Sequence, residues 1–166
     1  MLLWHASFWR SGMEEPTMEE IKPGVFMDKK QIAELIETAE GARKNAYVPY
    51  SNWTVGAGLL TRQGTVYGGC NIENASYSPT NCAERTAFFK AISYGEREFS
   101  AIAIIGGKKD EEPKAFCPPC GVCRQVMMEF CTPKEFYIIL AKNVDDYVVY
   151  TLEELLPQGF GPDNLG

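Results

Sequence analysis

The sequence predicts an α/β protein, a three-layer α-β-α sandwich on a mixed sheet of about five strands. Three observations carry that expectation. Helical and strand patterns alternate in the order helix, two strands, helix, strand, helix, two strands, helix, as layered α/β folds do. Ala101 to Ile105 is apolar without interruption, as expected of a central strand covered on both faces. The chain has 166 residues, 45% of them apolar, enough for one domain with a real core and too few for two large ones.

Residues 1–26 differ in composition from the rest, with an aromatic start (Trp4, Phe8, Trp9) and then an acidic, proline-punctuated stretch to Pro23. They are expected to be an N-terminal extension, disordered or from a non-native start, because Met13, Met18 and Met27 offer alternative starts. Residues 27–166 are expected to form the single domain.

Asp28 with Gln31 has capping-box spacing, and Ile32, Leu35, Ile36, Ala39 and Ala42 make one apolar stripe of a helix running to about Lys44. Trp53 to Leu60 reads as a strand, turned at Arg62-Gln63-Gly64 into a second strand, Thr65 to Tyr67. A helix is expected from Cys82 to Tyr94, stopped by Gly95. After the apolar strand, residues 106–119 read as a polar loop leading into a helix from Cys120 to about Phe130. Phe136 to Ala141 and Tyr147 to Tyr150 are further strands, and Thr151 with Glu154 opens a short helix ended by Pro157.

A formal charge of -6 argues against nucleic acid as partner, since that binding depends on Lys and Arg displacing counterions, and favours a small neutral substrate. No apolar run approaches the roughly 20 residues of a membrane span, so no membrane association is expected. The N-terminus lacks the basic start, apolar segment and cleavage site of a secretory signal. The six cysteines therefore read as metal ligands or core residues of a cytoplasmic protein rather than as disulfides.

Three of them, Cys82, Cys120 and Cys123, fall where a loop or strand enters a helix. There the helix dipole and unpaired N–H groups favour thiolate, and Cys120 and Cys123 share one helical face. Three thiolates with no fourth ligand of matching quality describe an open, catalytic zinc site, in which bound water becomes acidic at neutral pH. Glu84, two residues after Cys82, is the candidate base, although Asn81 and Glu84 also fit a capping box. Arg85 is placed to draw charge from the sulfurs, which with zinc form a net anion, while Arg124 fits equally well as a solvated helix residue.

Rival uses of the cysteines stay open at this level. Cys117, Cys120 and Cys123 have ferredoxin-like spacing, but Met127 stands where a fourth cysteine is needed. Cys117 or Cys131 could instead close a structural four-cysteine zinc site, as in a zinc-stabilised interaction domain. Cys70 and Cys131 are most simply small core residues. The only histidine is His5, which dismisses Ser–His–Asp chemistry.

Pro49-Tyr50-Ser51, residues 68–77 (GGCNIENASY), 81–85 (NCAER) and 119–125 (PCGVCRQ) together resemble the cytidine deaminases of the short, single-domain type, over about Gln31 to Phe160. Nucleotide and transfer-RNA deaminases usually carry histidine as first ligand, and blasticidin-type deaminases lack the CNIEN segment. The resemblance implies one zinc ion per subunit on Cys82, Cys120 and Cys123, a zinc-activated water attacking C4 of cytosine, and Glu84 as proton shuttle. It implies substrate contacts from Asn71 and Glu73 to the ribose, from Ala83, and from Trp53, which stands where the family usually has a phenylalanine stacking on the base. Phe160 matches a C-terminal phenylalanine that reaches a neighbouring subunit's site, implying a homotetramer with shared active sites. The implied activity is conversion of cytidine and deoxycytidine to uridine and deoxyuridine in pyrimidine salvage. The loop at 107–116 has no counterpart in this scheme.

Overall fold

A computed structural model describes residues 17–22 and 25–165. The elements run β1 (Met18–Lys22), β2 (Val25–Asp28), α1 (Lys29–Arg43), β3 (Trp53–Thr61), β4 (Val66–Cys70), α2 (Ala83–Ser93), β5 (Phe99–Lys108), α3 (Gly121–Phe130), β6 (Tyr137–Asn143), β7 (Asp146–Thr151) and α4 (Leu152–Leu155), then a 3-10 turn at Pro162–Asn164. Five strands form one sheet in the order β4-β3-β5-β6-β7. Only the β5–β6 pair is parallel, so the sheet is mixed.

Alternation along β5 builds the three layers. Ile102 and Ile104 enter a core with Ala87 and Phe88 of α2 and Met127 of α3, whereas Ala101, Ala103 and Ile105 face Leu35, Ile36 and Ala39 of α1. A strand buried on both faces has no room for polar side chains, which explains its unbroken apolar sequence. The stripe expected on α1 is the face that is buried, and Arg43 is buried with it. Asp28 caps α1 by accepting the Lys30 N–H, and the Thr151–Glu154 capping box opens α4 as its sequence indicates.

The folded chain starts ahead of the boundary expected at 26/27. β1 and β2 pair antiparallel as a separate two-stranded sheet, and Ile21 and Met27 pack onto the α1-side core. The boundary therefore falls inside β2; Trp4, His5, Phe8 and Trp9 lie outside the described residues.

Close approach of α2 to the sheet fixes one half of the site. A methyl group on Gly69 of β4 would lie 2.4 Å from the Ala87 nitrogen and 2.5 Å from the Ala83 carbonyl. Any side chain there would push α2 off the sheet, taking Cys82 with it.

Candidate active site

Two helix N-termini converge on one point. Cys82 is the N-cap residue of α2, and Cys120 is that of α3, where its Sγ accepts the Cys123 N–H at 3.5 Å. The Cys82 and Cys120 sulfurs are 3.8 Å apart, those of Cys120 and Cys123 3.5 Å, and all three lie within 4.8 Å of one another. Zn–S bonds of about 2.3 Å in a tetrahedron require sulfurs about 3.8 Å apart, so the cluster has the size that zinc needs. Cys123 is buried, Cys82 half-buried and Cys120 exposed, so the cluster opens toward solvent on one side.

The sulfurs share protons unequally. Hydrogen bonding from Cys123, with help from Arg85 and Cys120, holds the Cys82 thiol down to about 5 despite burial. Cys123 moves upward, chiefly because it carries the proton shared with Cys82. The Arg85 Nη2 donates to Cys82 Sγ at 3.5 Å and to the Thr80 carbonyl at 3.2 Å. Arg85 thus lies within reach of one of the sulfurs from which the sequence predicts it to draw charge.

Glu84 is 4% exposed. The capping-box alternative fails, because the N-cap residue is Cys82 and the Asn81 side-chain amide donates to Thr86 Oγ1 instead. Desolvation pushes the Glu84 carboxyl up to about 7, where it can both take and give a proton at neutral pH.

The residues implied for substrate fall at the start of β3, just after β4, at the head of α2 and on the C-terminal tail. Ala83, the first residue of α2, is fully buried. Glu73 Oε2 accepts the backbone N–H groups of Tyr50 and Ser51 at 2.9 and 3.2 Å, and Ser51 foremost lowers its pKa. It borders a cavity of about 420 Å³ lined also by Tyr50, Ser51, Tyr77 and Thr80. Asn71 binds the backbone of β3 with both ends of its amide, accepting the Val55 N–H and donating to the Trp53 carbonyl at 2.8 Å each. Its first task is thus to hold the strand that carries Trp53, with one amide hydrogen left over. Trp53 opens β3 and is 41% exposed. Phe160 is 59% exposed on a tail held by Gln125, whose Nε2 donates to the Phe160 carbonyl at 2.9 Å.

Among the described residues, the group able to share an ion is Cys82, Cys120 and Cys123, so Cys117 and Cys131 do not close a four-cysteine shell. Cys131 is buried in the α2–α3 core, which pushes its thiol up, as its reading as a core residue requires. Arg124 is not a solvated helix residue. Its Nε donates to the Pro119 carbonyl at 2.8 Å and its Nη1 to the Leu155 carbonyl at 2.7 Å, strapping the start of α3 to α4. Tyr77 on the cavity wall was not singled out by sequence; its φ of 56° is rare for a bulky residue and becomes visible only in the folded chain.

Residues 29–139, which contain the whole cluster, match the family model described as the cytidine and deoxycytidylate deaminase zinc-binding region. The chain belongs to the cytidine deaminase family. A cytidine deaminase of Sporosarcina psychrophila is 48% identical over 134 residues, covering 81% of this chain and 94% of its own length. One from Halalkalibacterium halodurans is 49% identical over 131 residues, 79% and 95% of the two chains. The crystal structure of cytidine deaminase from Burkholderia pseudomallei matches with a TM-score of 0.68 at 48% identity, across 76% of this chain and 97% of that one. Family membership and the sulfur geometry agree that zinc is the metal of this cluster.

Proposed function

We propose that the protein hydrolytically deaminates cytidine and deoxycytidine to uridine and deoxyuridine, releasing ammonia, as a step of pyrimidine salvage. The observation that carries this reading is the three-thiolate cluster at two helix N-termini with the buried Glu84 carboxyl beside it. Zinc bound there supplies an acidified water as nucleophile for C4. Glu84 accepts the water proton and delivers it to ring N3. It then takes the proton of the hydroxyl now on C4 and passes it to the departing amine as the C4–N bond breaks, so cytidine and water leave as uridine and ammonia. Arg85 tempers the charge of the sulfurs through its bond to Cys82. Glu73, anchored through one oxygen to residues 50 and 51, offers the other to the sugar hydroxyls, and the remaining Asn71 amide hydrogen reaches the same side. Trp53 provides the aromatic face for the base, and Ala83 borders it at the head of α2.

The exposed Phe160 on its tethered tail supports a homotetramer in which each tail completes a neighbour's site; light scattering should return four times the chain mass. The six cysteines are all free, which supports a reducing, cytoplasmic location. Among the described residues no helix is long and apolar enough to cross a membrane.

The test is ammonia release from cytidine by the zinc-loaded protein and by Glu84→Gln. The variant should keep its zinc and lose about 10²- to 10⁴-fold in turnover. A zinc-loaded wild type that releases no ammonia overturns the reading, and equal loss of zinc and turnover in the variant assigns Glu84 a structural role.

A further inference from the structure

Cys117 stands outside the metal cluster yet next to it. It lies at the end of the 107–116 loop, half-buried, with its thiol close enough to feel the charges of Glu84 and Cys82. It seats on β5 where that strand has no side chain: a methyl group on Gly106 would lie 2.6 Å from Cys117 Sγ and 2.8 Å from its Cβ. The same methyl would lie 3.4 Å from Trp53 Nε1, so indole and thiol meet over Gly106. Burial pushes the Cys117 thiol up, and the nearby Trp53 ring N–H, which points at the sulfur as a donor, works against that rise. Gly106 pairs with Val55 in the ladder and Trp53 with Lys108, so strand register makes Trp53 and Gly106 diagonal neighbours, and the loop after β5 returns Cys117 onto Gly106.

A tryptophan at the start of a strand, 41% exposed, has two side-chain torsions to fix. Its carbonyl is held by Asn71, but that bond leaves the ring free to turn. A contact between the nitrogen edge of the ring and the Cys117 sulfur over Gly106 is what can hold the ring in one rotation. A phenylalanine has no polar edge to be tied in this way.

We propose that Cys117 is a positioning residue for the base site: with Gly106 leaving space, its sulfur fixes the rotation of Trp53 and thereby the width of the slot above Glu84. The proposal rests on the reading that Trp53 faces the base. Cys117 acts through Trp53 alone, binds no zinc and takes no part in proton transfer. Its effect belongs in substrate binding.

The test is a double-mutant cycle on the zinc-loaded full chain, with KM and kcat for cytidine and zinc content measured together. Cys117→Val, which keeps the volume and removes the acceptor, should raise KM roughly three- to tenfold, the range of one net hydrogen bond, with kcat within about twofold and zinc unchanged. Cys117→Ser, which restores an acceptor, should recover most of that loss. In a Trp53→Phe background, Cys117→Val should add nothing. A KM increase of the same size in both backgrounds, a serine variant as impaired as the valine one, or loss of zinc in Cys117→Val each overturns the proposal. Trp53→Ala separates it from its premise. An unchanged KM there removes Trp53 from the base site and the proposal with it, whereas a raised KM with a silent Cys117→Val leaves the base site standing and overturns the tether alone.

Discussion

Arg85 shows how much a single side chain can settle at this site. Its guanidinium bonds Cys82 Sγ at one nitrogen, while its Nε is buried without a hydrogen-bond partner among the described residues. A zinc ion with three thiolates is a net anion and a poor acidifier of water unless donors draw charge from the sulfurs. Arg85→Gln should therefore slow turnover about 10- to 100-fold, the usual effect of losing a group that supports a metal ligand, with the thermal midpoint of the zinc-loaded protein nearly unchanged. Unchanged turnover would remove the charge-draining role. Cys82, Glu84 and Arg85 could be picked out of the sequence because they are neighbours in one short motif at a helix start. The burial of Glu84 could not, because Asn81 and Glu84 have the spacing of a capping box, and only the fold shows that Cys82 takes the cap and Asn81 turns to Thr86.

At the scale of elements, local signals placed the helices and long-range pairing set the strand ends. β5 was expected to end at Ile105 because Gly106 and Gly107 look like loop residues, yet it continues to Lys108. β3 offers partners from Trp53 to Thr61, and the register Trp53↔Lys108 extends the strand. In the same way β4 runs past Tyr67 to Cys70 opposite Gly56. The loop that follows β5 had no account in sequence terms, and Arg43 supplies one. This side chain is 9% exposed; its Nε donates to Thr54 Oγ1 at 2.8 Å and its Nη2 to the carbonyls of Lys108 and Glu111 at 2.8 and 2.7 Å. It pins the first half of the loop that ends at Cys117 to the last turn of α1. Arg43→Met fills part of the space but leaves two carbonyls and a hydroxyl without this donor, at a cost of about 2 kcal/mol. For a chain of this size that lowers the thermal midpoint by roughly 4–8 °C, with zinc content unchanged. Calorimetry giving the wild-type midpoint would show that water replaces the guanidinium at no cost.

Across the whole molecule, the sheet needs cover that α1 alone does not give. α1 lies over Ala101, Ala103 and Ile105, while Tyr137 and Ile139 of β6 and Tyr147 and Val149 of β7 extend the same face beyond it. The β1–β2 hairpin, which precedes the residues matching the family model, packs there through Ile21 and Met27. Polar contacts fasten its rim: the Tyr147 hydroxyl donates to Glu19 Oε2 at 2.7 Å, and Lys22 pairs with Glu154 and lies 5.9 Å from the Tyr150 ring centre. Sequence gave little sign of this because residues 18–22 carry a single buried-side apolar position, Ile21, among charges, and their partners are more than a hundred residues away. The docking should be readable by pH. Burial, and then the bond to Glu19, pushes the Tyr147 phenol up to about 12, against about 10 for a tyrosine in an unfolded chain. A folded-state pKa above the unfolded one means that the protonated phenol is the stabilising form. Its contribution is complete below pH 10 and is lost as pH rises toward 12. Thermal midpoints of wild type and Tyr147→Phe, taken from pH 8 to 12, should therefore differ most at the low end and converge above pH 10. A difference that stays constant over that range would show that the hydroxyl does not fasten the hairpin, leaving Ile21 and Met27 to hold it by burial alone.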